Sequence, residues 1–104
     1  MTCYRSSEPP SRSCQPLFPL GHLCATPGAL AVLQARSLSP FPFLERHVRG
    51  DWGDLDAEDV QANDTALQRG TRLLSAYDLG SHDTLWIITE ADRSVTTLLL
   101  PEEY

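Results

Sequence analysis

The pattern of apolar and polar positions is clearest in the last third of the chain. Thr84-Leu85-Trp86-Ile87-Ile88-Thr89 and Val95-Thr96-Thr97-Leu98-Leu99-Leu100 are runs rich in β-branched, aromatic and aliphatic residues. The polar stretch Glu90-Ala91-Asp92-Arg93-Ser94 separates them, which predicts a β-hairpin. A third run over residues 71–78 precedes them across a connector, residues 79–83, that contains Gly80. Three strands with such short links predict an antiparallel meander, because parallel neighbours need a long crossover.

Upstream of residue 71 the pattern turns helical. Thr26-Pro27-Gly28 predicts a helix start, with the Thr26 hydroxyl as cap and Pro27 in the first turn, where its missing N–H costs nothing. Its expected apolar face is Leu30 and Leu33, with Ala29 and Val32 beside them. Ser39-Pro40 repeats the signal, and the second helix runs to about Val48 with Phe41, Leu44 and Val48 on one stripe before Gly50 ends it. Gly50-Asp51-Trp52-Gly53-Asp54-Leu55 reads as a two-glycine turn anchored by Trp52 and Leu55. Asp56 then caps a third helix, whose first turn holds Glu58 and Asp59, where the macrodipole favours acids. Arg69 closes that helix and Gly70 stops it. Its stripe of Val60, Asn63 and Leu67 buries one amide, expected to bond the backbone of the 50–55 turn.

Residues 17–25 predict a short first strand, with Pro19 favouring an edge. The fold class is therefore α+β. A three-stranded antiparallel C-terminal meander, with room for a fourth N-terminal strand, packs two or three short helices on one face. Residues 17–104 form one domain, since a chain of 104 residues has no room for a second core. Residues 1–16, rich in Ser, Pro and Arg, bury too little to offset ordering entropy and read as a loosely packed or disordered tail.

Charge and cysteine usage narrow the function classes. Residues 1–50 carry five arginines against two acids, +3, and residues 51–104 carry three arginines against twelve acids, −9. This split hints at a partner surface and disfavours sequence-independent nucleic-acid binding, which needs a concentrated basic footprint. Cys3, Cys14 and Cys24 match no zinc or CxxC spacing and read as reduced thiols, with Cys24 a small buried hydrophobe. No apolar run approaches a membrane span and no secretory leader is visible, so the expected location is the cytoplasm.

The acids Asp51, Asp54, Asp56, Glu58 and Asp59 invite a calcium reading that fails on spacing. Counted from Asp54, an EF-hand loop would need Gly at Asp59 and Glu at Thr65; counted from Asp51, the positions fall on Asp56 and Ala62. His22, His47 and His82 share no ligand spacing, so no metal and no cofactor is expected. His47 reads as a partly buried, hydrogen-bonded imidazole. The 90–94 turn gathers Glu90, Asp92, Arg93 and Ser94, the best place for chemistry, although Asp and Ser are also ordinary turn residues. No G-x-S-x-G, P-loop, H-E-x-x-H or G-x-G-x-x-G is present, and no nucleophile–base pair stands out.

The 50–55 turn, Asn63, the strand Leu73-Leu74-Ser75-Ala76-Tyr77 and the ending from Trp86 to Pro101 resemble a family of small bacterial proteins carried on plasmids and integrative elements. The resemblance spans residues 18–104 and implies no activity or catalytic residue. Some members carry a type I restriction subunit label, which chain length argues against, since such a subunit needs a nucleotide-binding βαβ core. The leading expectation is a non-enzymatic protein of mobile elements that contacts another protein. Its binding candidates are Asp51, Trp52, Asp54, Asp56, Glu58 and Asp59, and an anti-restriction or anti-defence role is one concrete form. A second expectation is a small hydrolase or nuclease using Glu90, Asp92 and Arg93 with His47 as base. A third is a DNA-binding regulator reading through Arg46 and Arg49.

Overall fold

A computed structural model describes residues 16–104. The sequence reading of residues 1–15, Cys3 and Cys14 included, falls outside it. The elements run β1 (His22–Ala25), α1 (Pro27–Ala35), α2 (Phe41–Val48), α3 (Ala57–Arg69), β2 (Leu73–Gly80), β3 (Asp83–Thr89) and β4 (Val95–Leu99), followed by a 3₁₀ turn over Pro101–Glu103. The four strands form one sheet in the order β1-β4-β3-β2. The C-terminal meander is antiparallel as expected, while β1 lies parallel to β4 at the outer edge. The first strand is shorter than residues 17–25 because Gly21, at φ +68°, turns the chain immediately before it.

All three helices pack on one face of the sheet. α1 and α2 place Ala29, Leu33 and Leu44 against Tyr77, Leu85, Ile87 and Leu98. Ala66 of α3 joins Phe18, Trp52 and Leu73 in a second cluster. The starts of α1 and α3 and the stop of α3 follow the sequence, while α2 begins at Phe41 with Pro40, not Ser39, at its N-cap and no side-chain cap. Thr26 accepts from the Ala29 N–H, Asp56 accepts from the Asp59 N–H, and Gly70 ends α3 in the left-handed conformation. After α2, Gly50 N–H donates to His47 O and Asp51 N–H to Arg46 O, a Schellman ending.

The buried faces of the helices are rotated from their expected positions. α1 buries Ala29 and Leu33, one turn apart, which swings Leu30 out to 51% exposure. α2 buries Leu44 and His47, leaving Phe41 at 61% exposure and Val48 half-buried. α3 buries Asn63 and Ala66, with Val60 and Leu67 half-buried alongside. Cys24 is exposed, not buried as expected. Its neighbours Leu23 and Ala25 face the helices, and strand alternation turns it to the other side.

Candidate functional site

The acidic segment proves to be partly architectural. Asp51 holds Arg46 through two hydrogen bonds at 2.8 and 3.2 Å, and that guanidinium keeps the Asp51 carboxyl below its usual range. Asp54 accepts from the Asp78 N–H at 3.0 Å and Asp56 caps α3. Trp52 is buried with 4% exposure. Glu58 and Asp59 are exposed on α3, as is Asp64.

These residues share a second task, closing the outer edge of β2. In an antiparallel pair every second residue turns its backbone groups away from the partner. On β2 the outward residues are Leu74, Ala76 and Asp78. Asn63 acts as a strand in miniature: its Oδ1 accepts from Leu74 N–H at 3.1 Å and its Nδ2 donates to Leu74 O at 2.6 Å. The amide therefore bonds β2 and not the 50–55 turn, because α3 runs beside that strand. Ala76 N–H donates to Trp52 O at 3.0 Å and Ala76 O accepts from Asp54 N–H at 2.7 Å, forming a parallel bridge at Gly53. Gly53 sits at φ +80°, and a Cβ there would lie 2.0 Å from the Ala76 carbonyl oxygen, so the approach requires glycine. Tyr77 completes the clamp by donating its hydroxyl to Asp51 O at 2.7 Å.

His47 is buried to 0% exposure in a box formed by Phe18 and Trp52, both edge-on to its ring. Its Nδ1 lies 2.6 Å from Ser75 Oγ and its Nε2 2.9 Å from Thr89 Oγ1. Thr89 Oγ1 lies 2.7 Å from Thr96 Oγ1, which donates to Leu20 O at 2.8 Å. That last carbonyl can only accept, so it fixes the direction of the whole chain. Thr96 gives its proton to Leu20, Thr89 gives to Thr96, and His47 gives Nε2–H to Thr89. Nδ1 is then the acceptor for Ser75. Burial, with a lesser push from Arg93, lowers the His47 pKa to about 3, so the ring is neutral. The sequence predicted partial burial but did not pair His47 with Ser75; the only signal was three hydroxyl residues at inward-facing strand positions. The pair has the atoms of a nucleophile and base, yet Ser75, Thr89 and Thr96 are all at 0% exposure. No substrate reaches them in this conformation, and the network specifies the core.

The 90–94 turn is likewise occupied with its own shape. Asp92 accepts from both the N–H and hydroxyl of Ser94, which lowers its pKa. Arg93 donates to the carbonyls of Thr71, Glu90, Ala91 and Ala66, tying the hairpin to the end of α3, and its guanidinium lies over the Phe18 ring. Phe18 thus stands between Arg93 and His47, and Glu90 reaches Arg72 at 3.7 Å. The four catalytic candidates do not converge on a common cavity. Of the two arginines expected to read DNA, Arg46 holds Asp51 and lies over the Tyr77 ring, while Arg49 pairs with Glu45 at 3.3 Å.

The opposite edge of the sheet is different. His22 N–H donates to Ser94 O and Thr26 N–H to Leu98 O, so the residues between them alternate, and Leu23 and Ala25 turn their backbone groups outward. Among the described residues no backbone or side-chain group closes this edge in the way Asn63 and the Gly53 bridge close β2. Beside it runs an apolar groove of about 170 Å³ between β1, α1 and α2, with Leu23 and Leu44 in its wall and exposed Leu30 and Phe41 on its rim. α1 carries no charged residue, and between residues 17 and 44 the only charge is Arg36, which pairs with Asp83 at 2.6 Å.

Among the described residues no group of three His, Cys, Asp or Glu could hold a metal ion. No described helix is long and apolar enough to cross a membrane. No protein-family model, curated protein or solved structure matches the chain.

Proposed function

We propose that this chain is a non-enzymatic binding protein that takes a protein partner by β-strand addition at β1. One observation carries the reading: the sheet closes its β2 edge with a side-chain amide, a backbone bridge and a carboxylate, and leaves β1 open beside an uncharged groove. Strand addition uses such an edge, with main-chain hydrogen bonds giving affinity and a flanking groove accepting alternate side chains. A strand laid along β1 would send its helix-side residues into the groove between α1 and α2. Service on a bacterial mobile element belongs to the same proposal, supported by the resemblance of the 50–55 turn and Asn63 to plasmid-borne proteins. The exposed Glu58, Asp59 and Asp64 are the surface an anti-restriction role would use.

The test compares partners retained from a bacterial host extract by three immobilised chains. These are the wild type, a Leu30→Glu/Phe41→Glu variant and a Glu58→Gln/Asp59→Asn/Asp64→Asn variant. Loss of the wild-type set by the first variant alone supports strand addition. An unchanged set in the first variant with loss in the second moves the foreign contact to α3 and, where the first variant also keeps the wild-type mass in solution, overturns the reading.

A further inference from the structure

The strand that occupies the β1 edge is, we infer, β1 of a second copy of this chain, the two sheets joining into one of eight strands about a two-fold axis normal to them. The inference rests on the strand-addition reading above and names its occupant. Three features favour a copy over a foreign strand. With β2 closed, the described residues leave one open edge, so self-pairing there ends at two copies and cannot run on into a fibre. Charge points the same way. The chain carries a net charge of −6, and two copies repel wherever their acids meet. The stretch from residue 17 to 44 contains no acid and its one cation is already paired; the acid brought to the end of β1, Glu103, accepts from the Thr26 hydroxyl and the Leu100 N–H, so two copies meet here with little repulsion.

Size supplies the third argument. A four-residue edge, about 13 Å long, is too small by itself for an interface that usually takes about 800 Å² from each partner. The missing area lies directly beside it. α1 is apolar on two sides, with Ala29 and Leu33 inward, Leu30 outward and Gln34 its one polar side chain, the pattern of a helix covered on more than one side. A two-fold axis normal to the sheet keeps the helices of both copies on the same side. It thereby brings Leu30 and Phe41 of one copy toward those of the other.

The strand length sets the register. Leu23 opposite Ala25 of the second copy uses all the outward backbone groups of β1 in four hydrogen bonds. A shift either way puts Gly21, at φ +68°, or the Thr26 cap into the ladder. In that register Cys24 faces its own copy across the axis as a non-hydrogen-bonded pair. Its Cα–Cα separation is about 4.5 Å, within the range of about 4.4–6.8 Å that a disulfide spans.

Sedimentation equilibrium of the full chain, across the micromolar range, should give twice the chain mass. The Leu30→Glu/Phe41→Glu variant should give the single mass with unchanged circular dichroism, since both side chains are exposed, and its urea midpoint should lose the dependence on protein concentration that a dimer shows. In a Cys3→Ser/Cys14→Ser background, oxidation by copper-phenanthroline should link Cys24 to Cys24 into a covalent dimer that dithiothreitol reverses. A wild type of single mass overturns the inference. If such a monomer still loses its extract partners on Leu30→Glu/Phe41→Glu substitution, strand addition stands and the edge belongs to another protein's strand. A folded Leu30→Glu/Phe41→Glu variant that remains dimeric, or a dimer that Cys24 does not cross-link, overturns the β1 pairing.

Discussion

Mild acid should destabilise this protein through one residue. His47 is neutral in the fold because burial lowers its pKa to about 3, against 6.5 for a free imidazole. The folded pKa is the lower of the two, so the unfolded state binds the proton more readily. The stability that follows is fully present above pH 6.5 and drains away as pH falls from there toward 3. Each pH unit inside that window costs about 1.4 kcal/mol, so going from pH 7 to pH 5 should cost about 2 kcal/mol. For a domain whose whole stability is on the order of 5–15 kcal/mol, that is a large share. The hydroxyl chain explains why the ring resists the proton: Nδ1 already accepts from Ser75, and the added proton must displace that bond. Asp51, Asp92 and Glu103 have lowered pKa values, so their contribution is present above the ordinary carboxylate range and fades only below about pH 4.

The assay is urea unfolding at pH 7, 6 and 5 of the wild type and a His47→Gln variant, which keeps a donor and an acceptor but does not titrate. The wild type should lose about 2 kcal/mol across this span, and the variant, though weaker at pH 7, should lose far less. A wild type whose unfolding free energy is flat from pH 7 to pH 5, or a variant with the same slope, would refute the reasoning. Nitrogen-15 spectra of the imidazole should show the Nε2–H tautomer at neutral pH.

Gly53→Ala and Asn63→Leu probe the closed edge, with Gly70→Ala as the comparison. Gly53→Ala forces a Cβ onto the Ala76 carbonyl and should cost about 2–4 kcal/mol in chemical denaturation. Gly70→Ala, at φ +72° with no atom within 4 Å of the added Cβ, should cost only about 1 kcal/mol. Equal losses at the two sites would deny the bridge its role. Asn63→Leu leaves both backbone groups of Leu74 without a partner and should cost about 3 kcal/mol. By opening β2 it should also turn a self-limiting assembly into one that grows, seen as concentration-dependent light scattering. A clear solution of unchanged stability would show that the amide does not guard that edge.

The meander, the three helices and the caps of α1 and α3 were legible because each rests on local rules: Thr26 and Asp56 before helices, Gly70 after one, short polar links between β-rich runs. The faces were harder to read. Ala29 and Leu33, not Leu30, meet the sheet because the crossing of α1 over β4 selects which side of the helix is inward, and that angle is not written in α1 alone. The network around His47 joins residues up to 42 positions apart in a single side-chain pair, beyond the reach of any spacing rule. Asn63 was conspicuous as a polar residue on an apolar stripe, yet its partner depended on where α3 lay relative to β2. The 50–55 turn drew notice for its acids; its work as a strand surrogate appears only when Ala76 lies beside Gly53.

The hydroxyl chain also settles a choice that hydrophobicity leaves open. A slip of one residue between β3 and β4 would turn every side chain over and is rejected by the core. A slip of two keeps Leu98 inward and is nearly invisible to the apolar pattern. Only Thr89 and Thr96 would notice, since they stand opposite each other in the native pairing and a two-residue shift sets Thr96 against Ile87. Thr89, in the dry interior, would then lose its acceptor, and the half-buried Leu20 carbonyl its donor. The polar residues at the centre thus act as a vernier on the sheet, distinguishing two alignments that the surrounding aliphatic side chains would accept alike.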